Sequence, residues 1–213
     1  MRVALFDYGA GNVHTLAKAL ELGGARIVLE PDATSLLDAD ALVLPGTGRF
    51  AAGARRLGPG GHAVRVALAA GFPCLAIGIG MHLLFEGSDD GDEHGVGFFE
   101  GRVRPLRARR VPHIGWNQVQ TAADPLFRGV VPLTAYFAHG HAVEPDAVST
   151  QVIGWAMHES DGFPAAVRKV NAWGVQFHPE KSGVPGLQLV RNFIEAAARS
   201  VLGADPYSAQ SGL

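Results

Sequence analysis

The chain has 213 residues, of which 47% are hydrophobic and 18% charged, and its formal net charge is −2. This length and composition suit one globular domain, which we expect to span residues 1–203, with a mobile tail over residues 204–213. The charge balance excludes a protein that binds nucleic acid through a broad basic surface.

The lone cysteine, Cys74, excludes an internal disulfide and fits a reducing compartment. The first residues pass directly from a short apolar run to a turn, so we expect no signal peptide. The stretch Val66–Phe85 carries no charged residue, but Pro73 and several glycines break it, which argues against a membrane helix. We therefore expect a cytoplasmic protein that does not contact the membrane.

The first half of the chain alternates short apolar runs with helical patterns. Strands are predicted at Val3–Phe6, Ala25–Leu29, Asp40–Leu44 and Cys74–Ile77, and helices at Val13–Leu22 and Val64–Ala70. This alternation predicts an α/β fold with a mostly parallel sheet, in which loops at the carboxyl ends of the strands carry the chemistry.

The second half is richer in aromatic residues, valine and turn signals. It predicts shorter, partly antiparallel strands that fold onto one side of the sheet. A hairpin is expected from Ala165–Val170 and Trp173–Phe177, joined at Asn171-Ala172. A last helix over about Pro185–Ser200 presents one apolar face and closes the domain.

A sharp turn from strand to helix is predicted at Gly78-Ile79-Gly80, directly after Cys74–Ile77. This is the pattern of a nucleophile elbow, where a Ser or Cys sits on a strained turn beside free backbone N–H groups. The residue at the tip is Gly78, which has no side chain with which to attack a substrate.

The glycine-rich turn at Gly9-Ala10-Gly11 is a weak signal by itself. A dinucleotide fingerprint needs a third glycine, but His14 stands at that position. We therefore predict no nicotinamide binding at this turn.

Six motifs occur in the order and spacing of a known family. They are Asp7-Tyr8-Gly9-Ala10-Gly11-Asn12, Pro45-Gly46-Thr47-Gly48-Arg49-Phe50, the elbow, Gly115-Trp116-Asn117, Tyr136-Phe137-Ala138-His139 and Gln176-Phe177-His178-Pro179-Glu180-Lys181-Ser182-Gly183. Over about residues 1–200 the chain resembles class I (triad) glutamine amidotransferases, most closely the glutaminase subunits of imidazole glycerol phosphate synthase in histidine biosynthesis. The resemblance implies a flavodoxin-like, three-layer fold with a smaller antiparallel part in the second half.

The resemblance also implies a mechanism, in which a cysteine thiolate attacks the side-chain amide of glutamine, a histidine moves protons and a glutamate orients that histidine. His178 and Glu180 match the last two roles, and the nucleophile position is Gly78. The residues that match oxyanion or substrate-binding positions are Gly46, Thr47, Gly48, Ile79, His82, His139 and Gly140. The implied partner is a (β/α)8-barrel cyclase that receives the ammonia in a heterodimer, and no metal or cofactor is expected.

The departures from the family lie at the site itself. Where the family pattern is Gly-Ile-Cys-Leu-Gly-Met-Gln, this chain has Gly78 for the cysteine and His82 for the glutamine. In the later His-Ser-Tyr segment, Gly140 and His141 replace the last two residues. Cys74 cannot substitute, because four strand residues place it on the order of 13 Å away. We therefore predict little or no glutamine hydrolysis.

Two alternatives remain open at this stage. The chain could be a non-catalytic scaffold or binding subunit, of this complex or of an amidotransferase in pyridoxal-phosphate or anthranilate synthesis. Alternatively, His82, His139 and His141 could join His178 in a changed chemistry, based on a metal or on a general acid-base pair.

Overall fold

The computed structural model describes residues 1–9, 13–148, 150–201 and 203. The helices are α1 (Val13–Leu22), α2 (Phe50–Leu57), α3 (Gly60–Ala69), α4 (Ile79–Leu83) and α5 (Gly183–Val201). The strands are β1 (Arg2–Phe6), β2 (Arg26–Glu30), β3 (Ala41–Leu44), β4 (Cys74–Ile77), β5 (Gly87–Ser88), β6 (Arg102–Pro105), β7 (His113–Thr121), β8 (Leu133–His139), β9 (His141–Val143), β10 (Val152–His158), β11 (Asp161–Lys169) and β12 (Ala172–Val175). The Ala10-Gly11-Asn12 part of the first motif and the expected tail at 204–213 lie outside the described residues.

Within the described ranges, nine strands form one sheet in the order β2-β1-β3-β4-β12-β11-β10-β7-β8. The strands from β2 to β12 are parallel, and those from β12 to β8 are antiparallel. Helices α1 and α5 pack on one face through residues such as Leu16 and Phe193, and α2, α3 and α4 pack on the other. The predicted α/β, three-layer fold is therefore confirmed.

The central strands explain why an apolar run at Cys74–Ile77 becomes a strand. Every residue of β3 and β4 is buried, because helices cover both faces of the sheet at this point. Burying a side chain such as Leu75 contributes about 2 kcal/mol. The elbow at the end of β4 therefore starts from a rigid part of the molecule.

The placement predicted for the second half is wrong. The antiparallel strands do not fold onto one side of the sheet; they extend it sideways, and β7 and β11 have nine residues each. The hairpin between β11 and β12 causes this, because it adds β11 at the edge of the parallel part. Its turn is at Val170-Asn171 rather than Asn171-Ala172. A separate small sheet contains β5, β6 and β9.

Helix α2 was not predicted, and α3 begins four residues earlier than the helix expected at Val64. The glycines of this segment obscured the helical pattern. At Gly53 a Cβ atom would lie 2.7 Å from Leu83 Cδ1, so this glycine lets α2 pack closely on α4. Gly58 has a positive φ of 39° and separates α2 from α3.

The apolar stretch Val66–Phe85 is divided as predicted, into the end of α3, a turn, β4 and α4. In the part of the chain that the structure describes, no helix combines the length and apolar character needed to cross a bilayer.

Candidate functional site

The predicted elbow is present between β4 and α4. Gly78 has φ 49° and ψ −113°, a backbone conformation that residues with a side chain rarely adopt. Two residues later, a Cβ atom at Gly80 would lie 2.2 Å from the carbonyl oxygen of Leu44, so only glycine allows α4 to start this close to β3. The structure therefore places residue 78 at the tip of a nucleophile-type turn.

The loop after β3 lies against this turn. A Cβ atom at Gly46 would lie 2.8 Å from His178 Cε1, so the absence of a side chain there lets the imidazole approach the loop. The hydroxyl of buried Tyr8 donates a hydrogen bond to the Pro45 carbonyl oxygen. The first and second motifs are thus joined by one hydrogen bond, which holds the loop beside the elbow.

His178 and Glu180 form a buried pair. The distance from His178 Nδ1 to Glu180 Oε1 is 2.8 Å, and both side chains are less than a tenth exposed. Since the carboxylate accepts from Nδ1–H, it fixes the tautomer that leaves a lone pair on Nε2. The backbone N–H of His178 donates to Tyr136 O, and the Ser182 hydroxyl donates to His178 O, so the pair is held from both sides.

The His178–Glu180 pair does not arise from alternation along a strand. Strand β12 ends at Val175, and Glu180 lies in a 3₁₀ turn at Pro179–Lys181. This turn brings the carboxylate back toward the ring of His178. Pro179 stands at the start of the turn, where its missing N–H leaves no donor unsatisfied.

A cavity of about 370 Å³ lies between the elbow, the Gly46 loop and the ends of β8 and β12. Its lining includes nine of the ten residues selected from the sequence: Gly46, Thr47, Gly48, Gly78, Ile79, His82, His139, Gly140 and His178. The tenth, Glu180, contacts His178 at Nδ1. The cavity is therefore our candidate glutamine pocket.

Several lining residues were not selected from the sequence. They are Arg49, Phe50, Ser88, Asp90, Ala138, Gln176 and Lys181; His141, named only in the alternative histidine-based chemistry, also lines the cavity. Ser88 and Asp90 belong to no motif, since β5 and the turn after it are too short to give a pattern. Gln176 could have been found, because it belongs to the same sequence motif as His178 and Glu180.

His82 and Gln176 meet in the pocket wall. His82 Nε2 donates to Gln176 Oε1 over 2.7 Å, and both side chains are buried. Burial lowers the pKa of His82 to about 4, so its ring is neutral at physiological pH. The buried Nε2 of Gln176 has no hydrogen-bond partner among the described residues.

The expected oxyanion donors are only partly in position. The Ile79 N–H points at Gly46 O over 3.5 Å, which is a long and weak hydrogen bond. An oxyanion bound at this N–H would meet the Gly46 oxygen. In this structure the Ile79 N–H is thus directed at a backbone acceptor.

The described residues contain no group of three or more His, Cys, Asp and Glu side chains arranged to hold a metal ion. Cys74 is completely buried in β4, and burial raises the pKa of its thiol. It does not line the pocket. Cys74 is thus no replacement for the nucleophile, as the sequence predicted.

Comparison with known proteins agrees with this geometry. Residues 4–197 match the family described as "Glutamine amidotransferase class-I". The chain is 41% identical over 207 residues to the "Imidazole glycerol phosphate synthase subunit HisH" of Corynebacterium glutamicum, a match that covers 90% of this chain and 97% of the relative. It is 43% identical over 203 residues to the HisH subunit of Leifsonia xyli subsp. xyli, again covering 90% and 97%.

A solved structure of PurLQS from Thermotoga maritima superposes with a TM-score of 0.71 at 17% identity, covering 94% of this chain and 98% of that chain. This likeness shows the fold alone. The sequence match shows more, because it spans nearly the whole chain and includes the elbow, the Gly46 loop and the His178–Glu180 pair. The chain belongs to the class I glutamine amidotransferase family.

Proposed function

We propose that this chain is the glutaminase subunit of an imidazole glycerol phosphate synthase, folded as one amidotransferase domain over residues 1–203. The observation that carries the proposal is the His178–Glu180 pair, held at 2.8 Å in the same pocket as the elbow tip. The identity of 41–43% to two HisH subunits over nine-tenths of the chain supports it.

In this function each retained residue has a role. A nucleophile at position 78 would attack the amide carbon of glutamine and form an acyl-enzyme with loss of ammonia. His178 would take the proton of the nucleophile and give it to the departing ammonia, and then activate the water that releases glutamate. Glu180 would stabilise the imidazolium. This route needs neither metal nor cofactor.

As the chain stands, the first step lacks its nucleophile. Gly78 offers only a hydrogen atom at the tip of the elbow, so we expect glutamine hydrolysis to be impaired by several orders of magnitude. The same observation favours a second candidate function, in which the chain is a non-catalytic subunit that docks to a cyclase using free ammonia.

A partner surface is part of the proposal. Strands β7, β8 and β10 present an exposed apolar face formed by Ile114, Trp116, Tyr136, Trp155 and Met157, which we call the docking face. Ile114, Trp116 and Met157 are each 58–64% exposed. Large exposed apolar patches of this kind mark interaction sites in proteins.

The docking face is continuous with the mouth of the pocket. The ammonium group of Lys181, which lines the pocket, lies 5.8 Å from the ring of Tyr136. That ring packs edge-on against Trp116 at 6.1 Å. We propose that a (β/α)8-barrel cyclase with lyase chemistry binds here in a cytoplasmic heterodimer and receives ammonia from the pocket.

The test is ammonia release from glutamine by the unsubstituted chain, by Gly78→Cys and by Gly78→Ala, with and without the cyclase of the same organism. We expect turnover only with Gly78→Cys. Both substitutions should lower the unfolding free energy by about 1–3 kcal/mol, because a side chain at this positive φ is strained and its Cβ atom would lie 2.9 Å from Gly46 O.

Gly78→Ala is the matched control, since it introduces the same strain without a thiol. Turnover by Gly78→Ala equal to that of Gly78→Cys would contradict the proposed role of residue 78. A folded Gly78→Cys variant that releases no ammonia, even with the cyclase bound, would contradict the glutaminase function and favour the non-catalytic subunit.

A further inference from the structure

A buried chain of polar side chains connects the antiparallel sheet to the pocket. His113 on β7 and His139 on β8 are direct neighbours across the two strands, and both are less than a tenth exposed. His113 Nδ1 lies 3.0 Å from His139 Nε2. His139 lines the pocket, whereas His113 does not, and no family motif drew attention to His113.

The direction of each hydrogen bond between these side chains follows from the atoms that it joins. His139 Nδ1 lies 2.9 Å from the carbonyl oxygen of His141, which only accepts, so the proton of His139 is on Nδ1. Burial lowers the pKa of His139 to about 3, so its ring is neutral and Nε2 is an acceptor. His113 must therefore donate to it from Nδ1–H.

The same argument extends one step further. His113 is also neutral, because burial lowers its pKa to about 4, and its Nε2 is then an acceptor. The amide nitrogen of Asn117 lies 3.4 Å from that atom and 2.8 Å from the carbonyl oxygen of Met157. Asn117 thus donates to His113, His113 donates to His139, and His139 donates to the carbonyl oxygen of His141.

Ring neighbours hold His113 in this orientation, and its hydrogen-bond partners among the described residues are neutral groups. Its ring stacks on Phe137 at 4.9 Å and on His158 at 4.2 Å. His158 donates from Nε2 to the carbonyl oxygen of Arg110 and is not one of these partners. Packing therefore fixes the ring plane, and hydrogen bonds fix its tautomer.

We infer that His113 is a positioning residue for the glutamine pocket: through His139 it fixes the backbone at Gly140 and His141, where the chain passes along the pocket. The inference rests on the proposed function for the identity of the ligand. Gly140 lies in the single-residue gap between β8 and β9; its carbonyl oxygen accepts from Leu106 N–H, and the His139–His141 hydrogen bond spans the gap.

The kinetic test compares His113→Phe with His113→Gln, both in the Gly78→Cys background. Phenylalanine keeps the stacked ring but makes no hydrogen bonds, whereas glutamine can still donate to His139 and accept from Asn117. We expect His113→Phe to raise the KM for glutamine about tenfold with a smaller change in kcat, and His113→Gln to recover most of this loss.

A purely structural role for the ring predicts the opposite order, with Phe tolerated and Gln harmful, and that result would overturn the inference. His62→Phe, the same substitution at an exposed residue of α3, is the matched control and should leave KM unchanged.

A second measurement does not depend on catalysis. Nitrogen NMR of the unsubstituted chain labelled in histidine should find His139 neutral and protonated on Nδ1, and the His139 Nε2 resonance should shift in His113→Phe. A proton on Nε2 of His139, or no shift, would overturn the inference. If Gly78→Cys released no ammonia, the glutaminase function would fail while the NMR result would still decide the role of His113.

Discussion

Two groups of histidines lie in or beside one pocket, but their electrostatic surroundings differ. His178 contacts the carboxylate of Glu180, whereas the hydrogen-bond partners of His82, His113 and His139 among the described residues are amides, carbonyls and other imidazoles. A carboxylate stabilises a protonated ring, and neutral partners do not. Burial accordingly lowers the pKa of each member of the second group to about 3–4.

This difference separates the histidine that is suited to proton transfer from the histidines that are suited to a structural role. Of these four histidines, His178 alone has a hydrogen-bond partner among the described residues that would stabilise an imidazolium. The other three histidines hydrogen-bond to neutral groups, and two of them, His82 and His139, line the pocket.

The largest expected effect comes from removing His178, the histidine that contacts a carboxylate. In the Gly78→Cys background, His178→Ala should lower kcat by about 10³-fold or more, since no other residue takes over its proton transfers. His139→Ala should act mainly on KM. Steady-state ammonia release measures both, and equal losses of kcat in the two variants would remove the distinction.

The buried neutral histidines His82, His113 and His139 should lower the free energy of unfolding in acid. Because the pKa of His82 in the folded state is about 4, against 6.5 when unfolded, the unfolded chain binds more protons below about pH 6.5. Stability is therefore lost as the pH falls from 6.5 toward 4. The loss from His82 alone is roughly 2 kcal/mol at pH 5, and His113 and His139 add to it.

Urea unfolding at pH 7 and pH 5 measures this loss. His82→Gln should reduce the difference between the two pH values, whereas His62→Gln, at an exposed position, should leave it unchanged. A difference that is the same in all three proteins would show that His82 is not responsible.

The smallest expected effect on stability is that of a substitution at Trp116, which should instead weaken binding of the cyclase. Trp116→Ala should weaken cyclase binding by roughly 30-fold, as for a central aromatic residue of an interface. It should change the unfolding free energy by less than about 1 kcal/mol, because the side chain is more than half exposed. Titration calorimetry and urea unfolding give the two values, and unchanged affinity would move the proposed interface elsewhere.

The buried strand, the sharp turn after it and helix α1 could be predicted from the sequence for physical reasons. The run at Cys74–Ile77 is apolar throughout and is followed by glycines, which together predict a buried strand and a sharp turn. The same is true of α1, whose predicted bounds of Val13–Leu22 match the structure. Helix α2 was missed, because Gly53 and Gly58 serve packing and a break that local propensity cannot anticipate.

The site divides in the same way. The sequence by itself determined the α/β order and the missing side chain at residue 78, because spacing and residue type encode local geometry. The family resemblance selected nine of the residues that line the pocket. Only the tertiary structure decided the sideways addition of the antiparallel strands, the contact of Gln176 with His82 and the position of His113 beside His139. These contacts join residues 26–94 positions apart, and sequence periodicity contains no information about register over such distances.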